Sequence, residues 1–320
     1  MKPEQIQIAA NELLQQINAA PCPANEVINA YTRQRRYIGS KDRHTLTDIV
    51  WQTIKQMPTP DWLKNYIPQK ELEAMRGESH TILRVNGNRE QVQKQLTTQG
   101  IKSTLTPLSP LGLVLKKRTN LNIIPEYKNG LVEVQDEGSQ LLALATGIKP
   151  NESVLDYCAG AGGKSLCFAQ MMQNKGKIVA HDISAISLKE LQKRANRAKT
   201  DIITTTQHPV GVFDHVVVDA PCSGSGTWRR NPDGRLKLTP KQLKDLIKKQ
   251  SEILNHAKQF VKTGGKLHYM TCSLIAGENI DQMRAFLRKN TNFRLCHHQQ
   301  WTPATTNTDG FFLATIQKTK

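Results

Sequence analysis

Val154-Leu155-Asp156-Tyr157-Cys158-Ala159-Gly160-Ala161-Gly162-Gly163-Lys164-Ser165 decides how this chain is read. A short β-forming run ends in an aspartate, passes through small residues and glycines, and enters a helix from about Lys164. Working outward, the same alternation repeats. Lys177 to Ala180 reads as a strand ending at His181-Asp182, followed by a helix from about Ser187 to Ala198. Ile202–Thr206 and Phe213–Val218 read as further strands. Thr239 is a good N-cap and Pro240 fits a first turn. They open a helix with Leu243, Leu246, Ile247, Gln250, Ile253, Leu254, Ala257 and Val261 on one side, which Gly264-Gly265 are expected to stop. Lys266 to Thr271 is the next strand. Strands alternating with helices predict an α/β domain over residues 131–320, a parallel sheet covered on both faces, with ligands at the carboxyl ends of its strands.

Upstream the pattern differs. Residues 1–75 read as helical: Ile6, Ile8, Ala9, Leu13, Leu14 and Ile17 make one apolar stripe, and Leu46, Ile49, Val50 and Ile54 make another within Arg43 to Met57. Residues 76–130 read as a small α/β unit. It has a strand at Thr81 to Asn86, a helix from Arg89 to Gly100 and extended runs around Ser103–Leu105 and Leu113–Leu115. A linker punctuated by Pro125 and Gly130 closes it.

The glycine loop admits three readings. A phosphate loop needs G-x-x-x-x-G-K-[ST]; Gly163-Lys164-Ser165 fits, but Cys158 stands where the first glycine belongs. A dinucleotide loop needs G-x-G-x-x-G, and Gly160-x-Gly162 is followed by Ser165 instead. A nucleoside cofactor without a pyrophosphate remains. Asp182 lies 19 residues after Gly163, where a carboxylate can accept both ribose hydroxyls. S-adenosylmethionine suits that site.

Two cysteines sit at predicted strand ends beside the loop, in Asp219-Ala220-Pro221-Cys222-Ser223 and Thr271-Cys272-Ser273. A cysteine is usually a small buried hydrophobe; two in polar loops next to a carboxylate point to chemistry. The reaction that needs this set is methylation of a pyrimidine carbon. Carbon 5 of cytosine is too electron-poor to attack a sulfonium methyl until a thiolate adds at carbon 6. A carboxylic acid near the ring nitrogen and amino group stabilises the developing charge. Lys164 and the helix after Gly277 are candidates for favouring the thiolate. The residues alone leave open which cysteine is the nucleophile.

These motifs resemble the RsmB-like (Sun/Fmu-type) RNA cytosine-5 methyltransferases. The resemblance is carried by Val134–Gln140, Leu155–Lys164, Asp219–Asp233, Tyr269–Asn279 and Asp309–Gln317. Leu83–Gly100 resembles that family's small RNA-binding domain and the first 60 residues its helical extension. The resemblance implies a Rossmann-like methyltransferase domain in which Cys272 attacks the base and Cys222 assists product release. It implies that Asp219 contacts base and cofactor. Cys158, Ala159, Gly160, Ala161, Gly162, Gly163, Lys164 and Asp182 would hold S-adenosyl-L-methionine. The chain departs from the family at Gly160-Ala161, commonly Ala-Pro. It departs also at Gln207 and His208, where an acid usually ends the third strand, and at Ser187, often basic.

Lys and Arg number 44 against 27 Asp and Glu, a net charge of +17 carried by both halves of the chain. A broad basic surface fits a polyanion, so RNA is the expected partner, ribosomal RNA ahead of transfer RNA. Residues 229–249 hold eight basic side chains. Arg229 and Arg230, close after Cys222, are expected to contact phosphates, as are Arg33, Arg35 and Arg36 before Gly39. Lys241–Lys249 reads equally as a solvated helix face. A catalytically dead RNA-binding scaffold and a nucleoside-triphosphatase are the alternatives; cofactor or nucleotide titration separates them. The six scattered cysteines form no CxxC pair, so neither disulfides nor a metal site is expected. No secretory leader or membrane span is expected, and a monomer in the cytoplasm is the expectation.

Overall fold

The structure, a computed structural model, describes residues 1–117 and 119–320. Three amphipathic helices come first: α1 (Pro3–Ala19), α2 (Ala24–Gln34) and α3 (Ser40–Gln56). They bury Ile6, Leu13, Ile17, Ile28, Leu46, Val50 and Ile54 in one core. Two short helices, α4 (Asp61–Lys64) and α5 (Gln69–Ala74), follow.

The small unit is a four-stranded antiparallel sheet covered by one helix. In chain order it contains β1 (Ile82–Val85), α6 (Arg89–Thr98), β2 (Ser103–Leu105), β3 (Gly112–Leu115), α7 (Pro125–Lys128) and β4 (Val132–Val134). The sheet runs β2-β3-β1-β4. The boundary expected at residue 130 therefore falls inside this sheet. Pro125 starts a short helix, and β4 pairs with β1 through Leu83↔Val134 and Val85↔Val132. The reason is burial: Val132 is fully enclosed with Leu83, Val85 and Leu113.

The catalytic-type domain holds α8 (Glu137–Leu144), β5 (Ser153–Asp156), α9 (Gly163–Met171), β6 (Lys177–His181), α10 (Ala185–Arg197), β7 (Ile203–Thr206) and β8 (Phe213–Asp219). It continues with α11 (Gly234–Lys237), α12 (Pro240–Ala257), β9 (Val261–Thr271), α13 (Ile280–Lys289), β10 (Phe293–Trp301), α14 (Pro303–Thr306) and β11 (Phe311–Lys318). Seven strands lie in the order β10-β11-β9-β8-β5-β6-β7. The five from β9 to β7 are parallel and β11 runs antiparallel to β9, giving a Rossmann-like sheet. The order reverses between β5 and β8, which opens a crevice at their carboxyl ends. Apolar cores cover both faces of the sheet.

Thr239 caps α12 as expected, accepting from Gln242 N at 3.2 Å within a capping box. The far end differs from the sequence reading. The helix stops at Ala257 and Val261 begins β9, paired with Phe213. Gly264-Gly265 do not stop a helix. They lie in a bulge, since pairing resumes at His215↔Lys266, and Gly264 has φ +79°. Two buried partners, Phe213 and Val261, outweigh the glycine signal.

Arg229 and Arg230 are also corrected by the fold. The Arg229 guanidinium is buried, and that of Arg230, partly exposed, is held in ion pairs. Arg229 donates to the Asn307 carbonyl (3.0 Å) and pairs with Asp309 (3.4 Å). Arg230 pairs with Asp309 at 2.7 Å and with Asp136, and donates to the His80 carbonyl at 2.8 Å. Buried charges need such partners, and two arginines and two aspartates supply most of them for one another, Arg229 Nε alone of their side-chain polar atoms being buried without a partner among the described residues.

The next residues clasp the amino-terminal helices. Pro23 precedes α2 and offers no capping side chain; Asp233, 209 residues away, accepts from Ala24 N at 2.9 Å instead. Arg235 donates to the carbonyls of Ile54 (2.7 Å), Lys55 (3.0 Å) and Met57 (2.8 Å) at the end of α3. A carboxylate thus meets a helix N-terminus and a guanidinium a C-terminus, the favourable sense for both dipoles. Arg235→Ala should lower stability by roughly 2–3 kcal/mol, the worth of charge-assisted bonds to otherwise orphaned carbonyls. Limited proteolysis should then cut between residues 57 and 80 faster than in the parent, and an unchanged melting curve would contradict this account.

Candidate active site

Four strand ends converge on the crevice. β5 delivers Asp156 and the glycine loop, β6 delivers Asp182, β8 delivers Asp219, and β9 delivers Cys272. The loop bends where glycine is needed. Gly162 has φ +84°, and a Cβ there would overlap the Leu191 side chain. At Gly160 and Gly163 nothing lies within 4 Å of where a Cβ would stand, so a ligand can approach the backbone.

Asp182 Oδ2 accepts from Gly160 N at 2.9 Å and Oδ1 from Ser184 N at 2.8 Å, which fixes the carboxylate at the mouth of the loop. A cleft of about 360 Å³ opens beside it. Its lining includes Tyr157, Cys158, Asp182, Ile183, Asp219, Pro221 and Ile253. Apolar walls for an adenine, a carboxylate for a ribose and an open glycine backbone fit S-adenosylmethionine. Gln207, where the family usually has an acid, donates through Nε2 to the Ile183 carbonyl at 2.8 Å and so braces this wall. His208 is exposed; its backbone N–H donates to Thr206 Oγ1 at 3.0 Å.

Lys164 and Asp219 form an ion pair at 2.6 Å. Burial pulls the ammonium pKa down, but the charge of Asp219 and the hydrogen bond to it outweigh burial and leave it above its ordinary value. Lys164 therefore stays a cation, and its field extends to Cys272. Cys222 and Cys272 face each other with sulfurs 3.4 Å apart. The hydrogen bond with Cys272, burial, and the nearby charges of Cys272 and Glu278 push the Cys222 thiol well up. All six cysteines are free.

A second cleft, about 410 Å³, opens on the other side of the Pro-Cys loop between Cys222, Ser223, Lys237, Leu238, Gln242 and Lys249. Lys249 is exposed and lines both clefts. The loop itself is threaded tightly. Gly226 N donates to the Cys272 carbonyl (2.9 Å), Gly310 N donates to Gly226 O (2.8 Å), and a Cβ on Gly226 would overlap Gly310.

The structure thus brings Cys158–Lys164, Asp182, Asp219, Cys222 and Cys272 together. Arg229 and Arg230 lie behind the site in their ion pairs. Arg33 is exposed at the end of α2 and Arg36 in the turn before α3, whereas Arg35 stacks on Tyr31 (3.7 Å to the ring centre) and pairs with Glu12 at 3.6 Å. Sequence reasoning missed the buried acids Asp136 and Asp309 and the wall residues Tyr157, Ile183 and Ile253. Asp309 belongs to a segment carrying the resemblance, but nothing local marks it as an arginine partner.

The open parallel sheet with a glycine loop at its switch point has the Rossmann-like architecture of an S-adenosylmethionine-dependent methyltransferase. Residues 143–317 match the family described as 16S rRNA methyltransferase RsmB/F. The chain is 31% identical over 328 residues to the probable ribosomal RNA small subunit methyltransferase B of Bacillus subtilis (strain 168), covering 91% of this chain and 73% of that protein. It is 31% identical over 277 residues to ribosomal RNA small subunit methyltransferase B of Proteus mirabilis (strain HI4320), covering 81% and 65%. A methyltransferase homolog protein from Pyrococcus horikoshii superposes with a TM-score of 0.68 at 26% identity, covering 78% of this chain and 90% of that one. The chain belongs to the RsmB/F family and is an RNA methyltransferase. No described helix is long and apolar enough to cross a membrane.

One buried acid carries a pH signature. Burial pushes the Asp156 carboxyl up to about 6 from 3.8 against a 2.6 Å hydrogen bond from Ser165 Oγ, and the charge of Asp219 raises it further. Its Oδ1 has no hydrogen-bond partner among the described residues. With the folded pKa above the unfolded one, folding favours the protonated form. That contribution is complete below pH 3.8 and lost as pH rises through about 6. Asp156→Asn should therefore gain on the parent by on the order of 3 kcal/mol between pH 4 and pH 7 in denaturant melts. A pH-independent difference would refute the assignment.

Proposed function

We propose that the chain methylates carbon 5 of a cytosine in ribosomal RNA of the small subunit, with Cys272 as nucleophile. The supporting observation is the pair of thiols 3.4 Å apart on adjacent parallel strands, beside the Lys164–Asp219 ion pair. The names of the relatives favour the small-subunit RNA.

Cys272, in the field of Lys164, adds as thiolate to carbon 6 and leaves an enamine-like anion whose charge is spread over carbon 5 and the ring nitrogen. The Lys164 ammonium opposes that negative charge, while Asp219, held by Lys164, accepts from the exocyclic amino group and orients the base. The bound sulfonium cofactor supplies the methyl group. The proton on carbon 5 then passes to water in the open cleft, and its electron pair expels the Cys272 sulfur. Cys222, kept protonated, hydrogen-bonds that sulfur and eases its departure. The base must leave its stack to reach the cleft beside Cys222. Asp182 and the glycine loop hold the cofactor on the other side.

Cys222→Ala protein isolated from cells should carry covalently attached RNA on a denaturing gel, and Cys222→Ala/Cys272→Ala should carry none. Sequencing the attached RNA should return the small-subunit ribosomal RNA. An adduct that survives loss of Cys272 would overturn the assignment of the nucleophile.

The phosphate contacts fall to the exposed lysines of α12. Lys248→Ala/Lys249→Ala should weaken RNA binding and flatten its log–log salt dependence by about 0.7 per lost contact. An unaltered slope would remove these lysines from the interface.

A further inference from the structure

Glu278 is fully buried and forms no salt bridge among the described residues, yet it is the most heavily hydrogen-bonded carboxylate near the two thiols. Its Oε1 accepts from Ser223 N (2.8 Å) and Gln250 Nε2 (2.9 Å). Its Oε2 accepts from Ser223 Oγ (2.5 Å) and from Ser273 Oγ. Ser223 follows Cys222 and Ser273 follows Cys272, so one side chain holds the residue next to each thiol. The anchor is itself fixed. Tyr269 Oη donates to the Glu278 carbonyl at 2.6 Å, and Gln250 Nε2 also reaches Pro221 O at 3.0 Å, one residue before Cys222.

We propose that Glu278 is a positioning residue that sets the separation and alignment of the Cys222 and Cys272 sulfurs by binding both of their loops to one carboxylate. The two loops also touch directly, through Gly226 N to the Cys272 carbonyl (2.9 Å) and between the Ser223 and Ser273 hydroxyls (3.3 Å), and the carboxylate adds its bonds to that contact. An ionised carboxylate has room for four donors, and here both serine hydroxyls converge on one oxygen, Oε2. Its charge has a second effect, since it helps keep Cys222 protonated. The consequence for catalysis rests on the cytosine-5 reading; the geometric claim does not. Glutamine can preserve the geometry: its carbonyl faces Ser223 N and Gln250, and its amide donates to the two serine hydroxyls, which are free to reverse.

The test uses full-length protein without RNA and follows the rate at which diamide joins Cys222 to Cys272, mapped by peptide mass spectrometry. Ser223→Ala/Ser273→Ala, which leaves the Glu278 charge in place, should slow this crosslink at least about tenfold through loss of the shared bonds, and Glu278→Ala should slow it even though it eases Cys222 deprotonation. Affinity for S-adenosylmethionine should stay unchanged. Glu278→Gln should restore the rate to within about threefold, since the network reforms around the amide. With RNA, kcat should fall about a hundredfold in the crosslink-deficient variants with KM unchanged, the expected cost of misplacing reacting groups by about 1 Å. If Glu278→Ala does not fold, the serine double variant decides alone. Crosslinking as fast as the parent in that double variant overturns the proposal. Normal Glu278 dependence of the crosslink without any RNA adduct in Cys222→Ala protein would instead overturn the cytosine-5 reading alone.

Discussion

Two arginines and two aspartates, Arg229 and Asp309 buried and Arg230 and Asp136 partly so, hold this molecule's parts in register. Arg230 reaches Asp136 at the start of α8, Asp309 before β11 and the carbonyl of His80 between the first two units. Burial pushes the Asp309 carboxyl up, with the Asp136 charge adding to it, while the two arginines pull it back. Either set of charges alone would be intolerable in the interior; together they can only be satisfied when segments far apart in sequence arrive in one place. The segment that leaves Cys222 is therefore fixed at its far end before any substrate arrives.

This constraint explains why so basic a stretch is divided in two. From Arg229 to Lys237 the charges face inward, toward carboxylates, carbonyls and helix termini. From Lys241 to Lys249 they lie on the outer face of α12. Trp228 marks the change. It is buried with Leu63, Ile67, Leu72 and Met75 from the amino-terminal unit and with Leu274 and Ile275 from the loop after Cys272. The last turns of the helical unit thus pack directly on the loops that carry both thiols.

Much of the architecture was legible because it is periodic. Apolar runs alternating with capped helices gave β5 to β8 to within a residue or two, and the glycine loop excluded a pyrophosphate by its spacing. The parts that were not legible depend on partners distant in the chain. Asp136 lies 94 residues from Arg230, so nearness to Cys222 in the sequence pointed to phosphate contacts and could not show the ion pairs. Gly264-Gly265 carried a sound helix-stop signal, but the strand that Phe213 needed as a neighbour claimed Val261 first. The glycines then served the bulge. The boundary near residue 130 failed likewise, because β4 is defined by its pairing with β1 and hardly at all by its own three residues.

The cap on α2 has a consequence for synthesis. The helix is made well before the carboxylate that receives its Ala24 N–H, which is 209 residues further along. At ordinary ribosomal speeds of roughly 5–20 residues per second, that acid emerges some 10 to 40 seconds later. The amino-terminal helices must spend that interval with one end open and no surface to dock against. A helix made early in this chain is thus capped only after most of the methyltransferase domain has followed it.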